Sequence, residues 1–206
     1  MNRGVLIAVE GIDGAGKTTQ SKAVVKWLKK NGYAARYTSE PTSTGVGKLL
    51  SKLGSAASPA LEALLFAADR VEHVRRVIEP GLKKGHVIVS DRYVHSSIAY
   101  QGAMLGDVDW VRIINKFAPK PDVAFLLDVE PRLALSRIKR PRSKFEKLEL
   151  LEAVRKVYLD MVDAGELILV DGTKPPSQVT EELLARLRPF LPNPKGGNYE
   201  QHRRGL

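Results

Sequence analysis

The stretch GIDGAGKT, at Gly11–Thr18, decides the fold of this chain. It fits the pattern G-x-x-x-x-G-K-[ST], which is typical of the phosphate-binding P-loop. The apolar run VLIAV at 5–9 precedes it and predicts a buried strand, and the segment 18–28 after it has the pattern of a helix. Because the motif lies between a strand and a helix, we interpret it as a P-loop and not as a chance glycine-rich turn.

The residue types within the motif suit the binding of phosphate. Glycines allow backbone N–H groups to turn inward around a phosphate, and the start of the following helix adds a partial positive charge. Lys17 is expected to reach the β- and γ-phosphates of a nucleotide, and the hydroxyl of Thr18 is expected to hold Mg²⁺.

The composition indicates a globular chain of ordinary size. The sequence has 206 residues, of which 43% are hydrophobic, and no apolar stretch approaches the roughly 18 residues of a membrane span. It contains no cysteine, which excludes disulfides and zinc–thiolate sites and favours a cytoplasmic protein. The N-terminus leads directly into a strand, so we expect neither a signal peptide nor a membrane association.

Apolar runs that alternate with helical patterns predict the fold class. Besides the first strand, we predict strands at 33–38, 86–90, 122–128 and 166–170. We predict a long helix from Pro59 to about residue 78, interrupted by Pro80. The expected class is α/β: a P-loop NTPase-like three-layer sandwich with a five-stranded parallel sheet and helices on both faces. We expect one domain over 1–192 and a mobile tail at 193–206.

The net charge of +10 is unevenly distributed along the chain. Residues 137–147 contain six basic side chains and one acid, so this segment carries +5, half of the total. A localised cluster suits a compact anion better than a long nucleic-acid duplex, so we expect no nucleic-acid partner. Arginines on such a segment can act as a lid over transferring phosphates, although a solvated basic face or a nucleic-acid patch would have the same composition.

Three further groups of residues are candidates for a site. The third strand ends in Asp91, which resembles a carboxylate that a strand delivers to Mg²⁺, or else a simple turn. Arg92, Ser96 and Tyr100 are spaced by four, so on a helix they share one face that suits a phosphorylated, planar ligand or simply solvent. Phe66 and Arg70 lie four residues apart on the long helix. Together they could bind a base, or Phe66 could instead belong to the core.

Four motifs in order resemble the thymidylate kinase family. They are VEGIDGAGKTTQ at 9–20, Glu40-Pro41, LFAADR at 65–70, and DRY at 91–93 followed by Ser96 and AYQG at 99–102. The resemblance implies transfer of the γ-phosphoryl group of ATP to dTMP, with Mg²⁺, in a homodimer. It also makes the expected domain a nucleoside monophosphate kinase domain with a basic lid near 137–147.

The resemblance implies a role for each matching position. ATP would be bound by the phosphate loop and one lid residue, namely Gly11, Ile12, Asp13, Gly14, Ala15, Gly16, Lys17, Thr18, Thr19 and Arg137. Asp13 would lie where donor and acceptor meet, and Thr18 and Asp91 would hold the metal. The residues implied for dTMP binding are Asp13, Glu40, Pro41, Phe66, Arg70, Arg92, Ser96, Tyr100 and Gln101.

Within the acceptor site, the resemblance implies that Phe66 stacks on thymine and that Arg70 binds the base or the phosphate. Arg92 would hold the dTMP phosphate, and Tyr100 would pack below the sugar, where it disfavours a 2′-hydroxyl. Ser96 and Gln101 would surround the base.

Two positions distinguish this chain within the resemblance. Some family members have an arginine inside the phosphate loop, but this chain has Ala15, so the lid is expected to supply the arginine. We expect Arg140 or Arg142 to contribute to catalysis, together with Asp13, Lys17 and Arg92. Many relatives have Arg-Glu-Pro where this chain has Ser39-Glu40-Pro41, so one positive charge near the acceptor is missing.

Other functions are compatible with a P-loop. The nearest is another nucleoside monophosphate kinase or a deoxynucleoside kinase on the same fold. A more distant one is a nucleotide switch or a nucleic-acid-binding protein, which the net charge alone would favour.

Overall fold

The structure, a computed structural model, describes residues 3–53, 56–140 and 143–193. Arg142 and all but the first residue of the expected tail therefore lie outside the described residues. Within the described ranges, no helix is both long and apolar enough to cross a membrane.

A five-stranded parallel sheet forms the centre of the fold, with strand order β2-β3-β1-β4-β5. Every residue of β1 and β3 is buried. Because successive side chains of a strand point to opposite faces, full burial requires cover on both faces of the sheet. The predicted fold class is thus confirmed, and the strands are β1 (Val5–Glu10), β2 (Ala35–Ser39), β3 (Val87–Asp91), β4 (Val123–Asp128) and β5 (Ile168–Asp171).

The helices pack in two groups around the sheet. In one group, α1 contacts β1, β2 and β3, and α9 contacts α1 and β5. In the other group, α4 contacts β3, α8 contacts β4, and α3, α5 and α6 pack beside them. The helices are α1 (Lys17–Lys30), α2 (Gly45–Leu53), α3 (Pro59–His73), α4 (Glu79–Lys83), α5 (Val94–Leu105), α6 (Val108–Ile114), α7 (Pro131–Ser136), α8 (Leu148–Asp163) and α9 (Pro176–Leu187).

The predicted interruption of the long helix at Pro80 is wrong. The helical path continues from α3 through a π-helical turn at Val74–Ile78 into α4, which ends at Lys83. A proline inside a regular α-helix lacks an N–H donor and clashes with the preceding turn. The wider π turn, in which the N–H of Glu79 donates to the carbonyl of Val74, lies directly before Pro80 and lets the helix continue.

Helix α2, which packs on α3, is largely exposed. Of its nine residues, only Gly47 is buried. A Cβ at Gly47 would lie 1.9 Å from the carbonyl oxygen of Thr42, so glycine is required for this close approach. The loop before α2 is held to α3 by Asp69, which accepts hydrogen bonds from the N–H of Thr42 at 2.7 Å and the hydroxyl of Thr44 at 2.9 Å.

The register of the parallel strands determines where the site forms. Asp91, at the end of β3, pairs with Val9 on one side and with Ser39 on the other. Because the strands are parallel, their carboxyl ends meet at one edge of the sheet, which is where ligands bind in this class of fold.

Candidate active site

The phosphate loop leaves β1 and enters α1 through glycines with left-handed backbone conformations. Gly14 and Gly16 have φ of 85° and 95°, and a Cβ at Gly14 would lie 2.1 Å from the carbonyl oxygen of Ala134. Gly16 caps α1 without any side-chain hydrogen bond. The N–H groups of the first turn thus have no side-chain cap and can bind an anion, which the helix dipole also favours.

Lys17 extends back over this loop and is almost completely buried. Its Nζ donates to the carbonyl oxygen of Ile12 at 2.8 Å and lies 3.9 Å from Oδ1 of Asp13. Burial, followed by the nearby charge of Arg92, lowers the pKa of Lys17 to about 8. A phosphate at this position would favour the charged amine further, because it would add negative charge to that of Asp13.

Asp91 and Thr18 form an oxygen-rich corner beside the loop. The hydroxyl of Thr18 donates to Oδ2 of Asp91 at 2.5 Å, and the hydroxyl of Tyr37 donates to the same oxygen at 3.1 Å. No cluster of three or more His, Cys, Asp or Glu side chains that could hold a metal occurs among the described residues. One carboxylate and one hydroxyl fit Mg²⁺, which prefers oxygen ligands and takes its remaining ones from phosphates and water.

Arg92 follows Asp91 directly and adopts φ of 70°, a left-handed conformation that no other non-glycine residue has in the described part of the chain. Its guanidinium donates to Oδ1 of Asp13 at 2.6 Å and to the hydroxyl of Ser96 at 3.1 Å. It also lies 5.0 Å from the centre of the Tyr100 ring. Burial alone would raise the pKa of Asp13, but the charges of Arg92 and Lys17 outweigh it and lower that pKa.

Two pockets adjoin at this point. One, of about 470 Å³, is lined by the phosphate loop, by Thr18 and Asp91, and by Arg137. The other, of about 520 Å³, extends from Arg92 toward α2 and α3. We call them the loop pocket and the second pocket; Asp13, Glu40 and Arg92 line both. Two ligands placed in them would meet at these three side chains.

The structure brings most of the predicted residues to these pockets. The loop pocket is lined by Asp13, Gly14, Gly16, Lys17, Thr18, Thr19, Asp91 and Arg137, whereas Gly11, Ile12 and Ala15 are buried behind the loop. The second pocket is lined by every residue that the resemblance implies for dTMP, namely Asp13, Glu40, Pro41, Phe66, Arg70, Arg92, Ser96, Tyr100 and Gln101. Phe66 is half-buried and faces this pocket, so the structure does not favour the interpretation of Phe66 as a core residue.

Arg70 contributes to the pocket wall through a buried network. Its Nε and Nη2 donate to Oε2 of Glu40 at 2.9 and 2.6 Å, and Nη1 donates to the side chain of Asn115. His73 contacts Oε1 of Glu40 at 2.9 Å. Most donors of Arg70 are thus bonded to protein, so any contact with a ligand would be made from a fixed position.

Glu10 is a buried charge behind the site that the sequence analysis did not single out. It accepts hydrogen bonds from the backbone N–H of Tyr93 at 2.9 Å, from the hydroxyl of Ser96 at 2.6 Å and from that of Tyr158 at 3.3 Å. Burial alone would raise its pKa, but His95, Ser96 and Arg92 together lower it. The sequence did contain a signal for Glu10, namely an acidic residue at the end of an otherwise apolar strand. Through Ser96, which accepts from Arg92, Glu10 stabilises the position of that guanidinium.

The basic segment places its arginines at different points. Arg137 donates to the carbonyl oxygen of Gly172 at 3.0 Å and lines the loop pocket. Arg140 pairs with the buried carboxylate of Glu146 at 2.6 and 3.3 Å, and its charge also helps to lower the pKa of Asp13. Arg142 lies outside the described residues.

Eight lining residues of the second pocket were not among the predicted site residues. They come from α2, from α3, from the start of α5 and from the end of the basic segment; they are Leu50, Ser51, Glu62, Tyr93, Ser97, Ser143, Lys144 and Phe145. Their sequence spacing contains no signal for this, because residues far apart in the chain meet only through the packing of α2, α3 and the segment before α8.

Comparisons with known proteins agree on one family. A family model described as thymidylate kinase matches residues 9–183 of the chain. A probable thymidylate kinase of Pyrococcus abyssi is 40% identical over 198 residues, which cover 90% of this chain and 97% of that protein. A probable thymidylate kinase of Archaeoglobus fulgidus is 43% identical, over 94% of this chain and 100% of that protein. One of Pyrobaculum calidifontis is also 43% identical, over 88% of this chain and 94% of that protein.

Proposed function

Because the chain belongs to the thymidylate kinase family, its reaction is the ATP-dependent phosphorylation of dTMP to dTDP, and we propose that the two adjoining pockets divide the two nucleotides between them. The observation that supports this division is the meeting of both pockets at Asp13, Glu40 and Arg92. The loop pocket takes ATP and the second pocket, from here on called the acceptor pocket, takes dTMP.

In the loop pocket, the N–H groups of residues 11–19 surround the phosphates of ATP, and Arg137 contacts the nucleotide from the opposite side. Lys17 binds the β- and γ-phosphates. A divalent metal ion accompanies phosphoryl transfer of this kind, and we propose that it is Mg²⁺, because Thr18 and Asp91 offer oxygen ligands of the kind that Mg²⁺ prefers. When bound, Mg²⁺ neutralises part of the charge that develops on the phosphates.

In the acceptor pocket, Phe66 supplies the face on which thymine stacks, and Arg70 and Gln101 lie at the edges of the base. Arg92 binds the acceptor phosphate, and Tyr100 packs below the sugar. Ser96 acts mainly through Arg92, because its hydroxyl is bonded to both Glu10 and Arg92. Glu40 and Pro41 complete the wall between the base and the phosphates.

The chemical step needs charge compensation more than proton removal. A phosphate monoester has a second pKa of about 6, so the dTMP phosphate is largely ionised at pH 7 and needs no strong general base. The barrier arises from bringing two anions together in line. Lys17 and Arg92, which face each other across Asp13, supply positive charge on the donor and acceptor sides of the transferred group.

Of the two lid arginines expected to act in catalysis, Arg140 is the one that the structure describes, and we expect Arg140→Ala to lower turnover by on the order of 10²-fold or more with little change in the KM for dTMP. The reason is that an arginine acting on the transferred group stabilises the transition state more than the bound substrate. Steady-state kinetics of this variant, of Arg142→Ala and of the exposed neighbour Lys139→Ala as control would measure this. Near-normal turnover in both arginine variants would show that the lid supplies no catalytic arginine.

The function itself is tested by initial rates of phosphoryl transfer from Mg-ATP to a panel of dTMP, dUMP, UMP, CMP and AMP. A strong preference for dTMP is the expected result. Comparable use of dUMP would retain the kinase but contradict the thymine pocket. Transfer to none of the acceptors, with tight ATP binding intact, would instead favour a nucleotide switch or a nucleic-acid-binding protein.

We also propose a homodimer that forms through α3. Leu61, Leu64 and Val71 are 43%, 49% and 44% exposed, and with Ala68 they follow the spacing i, i+3, i+7, i+10 along one face. An exposed apolar stripe of this kind marks an interaction surface. Light scattering is expected to give about twice the chain mass of 22.7 kDa, and about one chain mass for Leu64→Arg. A monomeric wild type at micromolar concentration would contradict the proposal, and Ile113→Arg, at an exposed position of α6, serves as control.

Two coarser features complete the proposal. Residues 1–192 form a single nucleoside monophosphate kinase domain around the one sheet described above. The protein acts in the cytoplasm, which the absence of cysteine from its sequence supports.

A further inference from the structure

The end of the basic segment, Ser143–Glu146, forms one wall of the acceptor pocket. Ser143, Lys144 and Phe145 all line that pocket, together with Glu62, Phe66 and Arg70 of α3. We call Ser143–Glu146 the wall segment. Arg140, one of the arginines assigned to the phosphates, pairs with Glu146 at the end of this segment, whereas Lys144 and Phe145 line the acceptor pocket.

An ion pair joins the wall segment to α3. Nζ of Lys144 lies 2.6 Å from Oε1 of Glu62, and the two side chains are 21% and 4% exposed. Glu62 lies one helical turn before Phe66, so the pair lies beside the ring that stacks on the base. The second oxygen of Glu62 is buried and has no hydrogen-bond partner among the described residues. Glu62 therefore depends on Lys144 for the compensation of its charge.

Two further contacts fix the same segment. The ring of Phe145 meets that of Tyr100 edge to face, with centres 5.9 Å apart and planes at 87°. Glu146 is buried and accepts a hydrogen bond from the backbone N–H of Ser143 at 3.0 Å. Phe145 is thus held between a short turn and the ring below the sugar, and its own ring is only partly buried.

We propose that Phe145 is an acceptor-binding residue and that the Lys144–Glu62 pair positions it. The proposal depends on the assignment of dTMP to the acceptor pocket. Phe66 and Phe145 then supply apolar surface on two walls of that pocket, so a bound nucleoside is packed on both sides and water is excluded from it. Lys144 acts through Phe145, whose ring centre lies 5.3 Å from its Nζ, and not through the phosphates.

The pair is tested with Glu62→Gln, Lys144→Met and the double variant. We expect each single variant to raise the KM for dTMP by about tenfold and to leave the KM for ATP unchanged. The double variant is expected to be no worse than the poorer single variant, because both remove the same contact. Lys144→Arg keeps the positive charge that Lys144→Met removes, so its KM for dTMP should stay within about threefold of the wild-type value. Lys147→Met, at an exposed lysine three residues on, is the control.

Phe145 is tested separately, so that loss of folding cannot imitate loss of binding. Phe145→Ala is expected to raise the KM for dTMP by at least about tenfold, and Phe145→Leu by less, since leucine retains part of the apolar surface. Melting temperatures within a few degrees of wild type in Phe145→Leu and Glu62→Gln would show that the fold is intact.

Three results would overturn the inference while the wild type still phosphorylates dTMP. The first is an unchanged KM for dTMP in Phe145→Ala. The second is a rise in the KM for dTMP in the double variant that equals the product of the rises in the two single variants. The third is a rise in the KM for ATP in Lys144→Met, which would assign that lysine to the phosphates. A wild type that fails to use dTMP at all would contradict the proposed function instead.

Discussion

Replacing Lys17 with methionine is expected to lower kcat by on the order of 10³-fold, with the fold intact. The amine lies over the phosphate loop, 2.8 Å from the carbonyl oxygen of Ile12, where it would bind the group being transferred. Methionine retains the length and the apolar stem of lysine but supplies no charge. Rates of dTDP formation with saturating ATP and dTMP measure the effect, and Lys26→Met, at an exposed position of the same helix, is the matched control.

The melting temperature of the same variant separates catalysis from stability. Burial lowers the pKa of Lys17 from 10.5 to about 8, so at neutral pH the charged amine destabilises the folded state by roughly 3 kcal/mol. Because the folded pKa lies below the unfolded one, this cost is fully present below pH 8 and disappears as the pH rises toward 10.5. Lys17→Met should therefore melt no lower than wild type at pH 7. A lower melting temperature with a proportionate loss of activity would mean that Lys17 mainly holds the loop.

Replacing Arg92 with lysine is expected to lower kcat/KM for dTMP by about 10²- to 10³-fold. The guanidinium donates to Asp13 and Ser96 at once and still faces the acceptor pocket. A lysine ammonium is a single point charge that cannot reproduce this planar set of donors, so the acceptor phosphate would lose both charge and orientation.

The control for this variant is Arg112→Lys. Arg112 also forms a two-point ion pair, with Glu166 at 3.0 and 2.8 Å, but it lines neither of the two pockets. Arg112→Lys should therefore leave kcat/KM for both ATP and dTMP unchanged. An equal loss of kcat/KM for ATP and dTMP in Arg92→Lys would show that Arg92 acts by holding the phosphate loop, since its Nη1 also lies 3.4 Å from the carbonyl oxygen of Gly11.

The architecture was predictable because its signals are local. A P-loop between a strand and a helix, followed by four more apolar runs, is sufficient to predict a parallel sheet, and all five strands are observed. The continuation of the helix past Pro80 was not predictable, because it depends on a single π turn whose sequence, VRRVI, does not differ from an ordinary helix.

The candidate site was predictable to the extent that its residues lie within motifs. Asp91 ends an apolar strand, and Arg92, Ser96 and Tyr100 are spaced by four, so each had a local pattern. The expectation that all three share one helical face was wrong for Arg92, which precedes α5 and has a left-handed backbone conformation. Their placement around the pockets is observed, whereas the individual roles stay predictions.

The remaining part of the site depends on contacts between residues far apart in the chain. Glu40 and Arg70 are 30 residues apart, and the buried pair that they form has no local pattern. The same is true of Lys144 and Glu62. Pairs of this kind are determined by how α3 packs against the loop after β2 and against the segment before α8, and no short window of sequence contains both partners.

The weak packing of α2 has a consequence for how the two halves of the site move. Local opening requires the loss of only the contacts that a segment makes, and α2 buries one residue of nine while β1 and β3 are buried throughout. The backbone amides of α2, which supplies Leu50 and Ser51 to the acceptor pocket, should exchange with solvent deuterium long before those of the central strands. The ATP side of the site thus remains rigid, while α2 on the acceptor side can open locally. This opening would allow dTMP to bind and dTDP to leave without disturbing the phosphate loop.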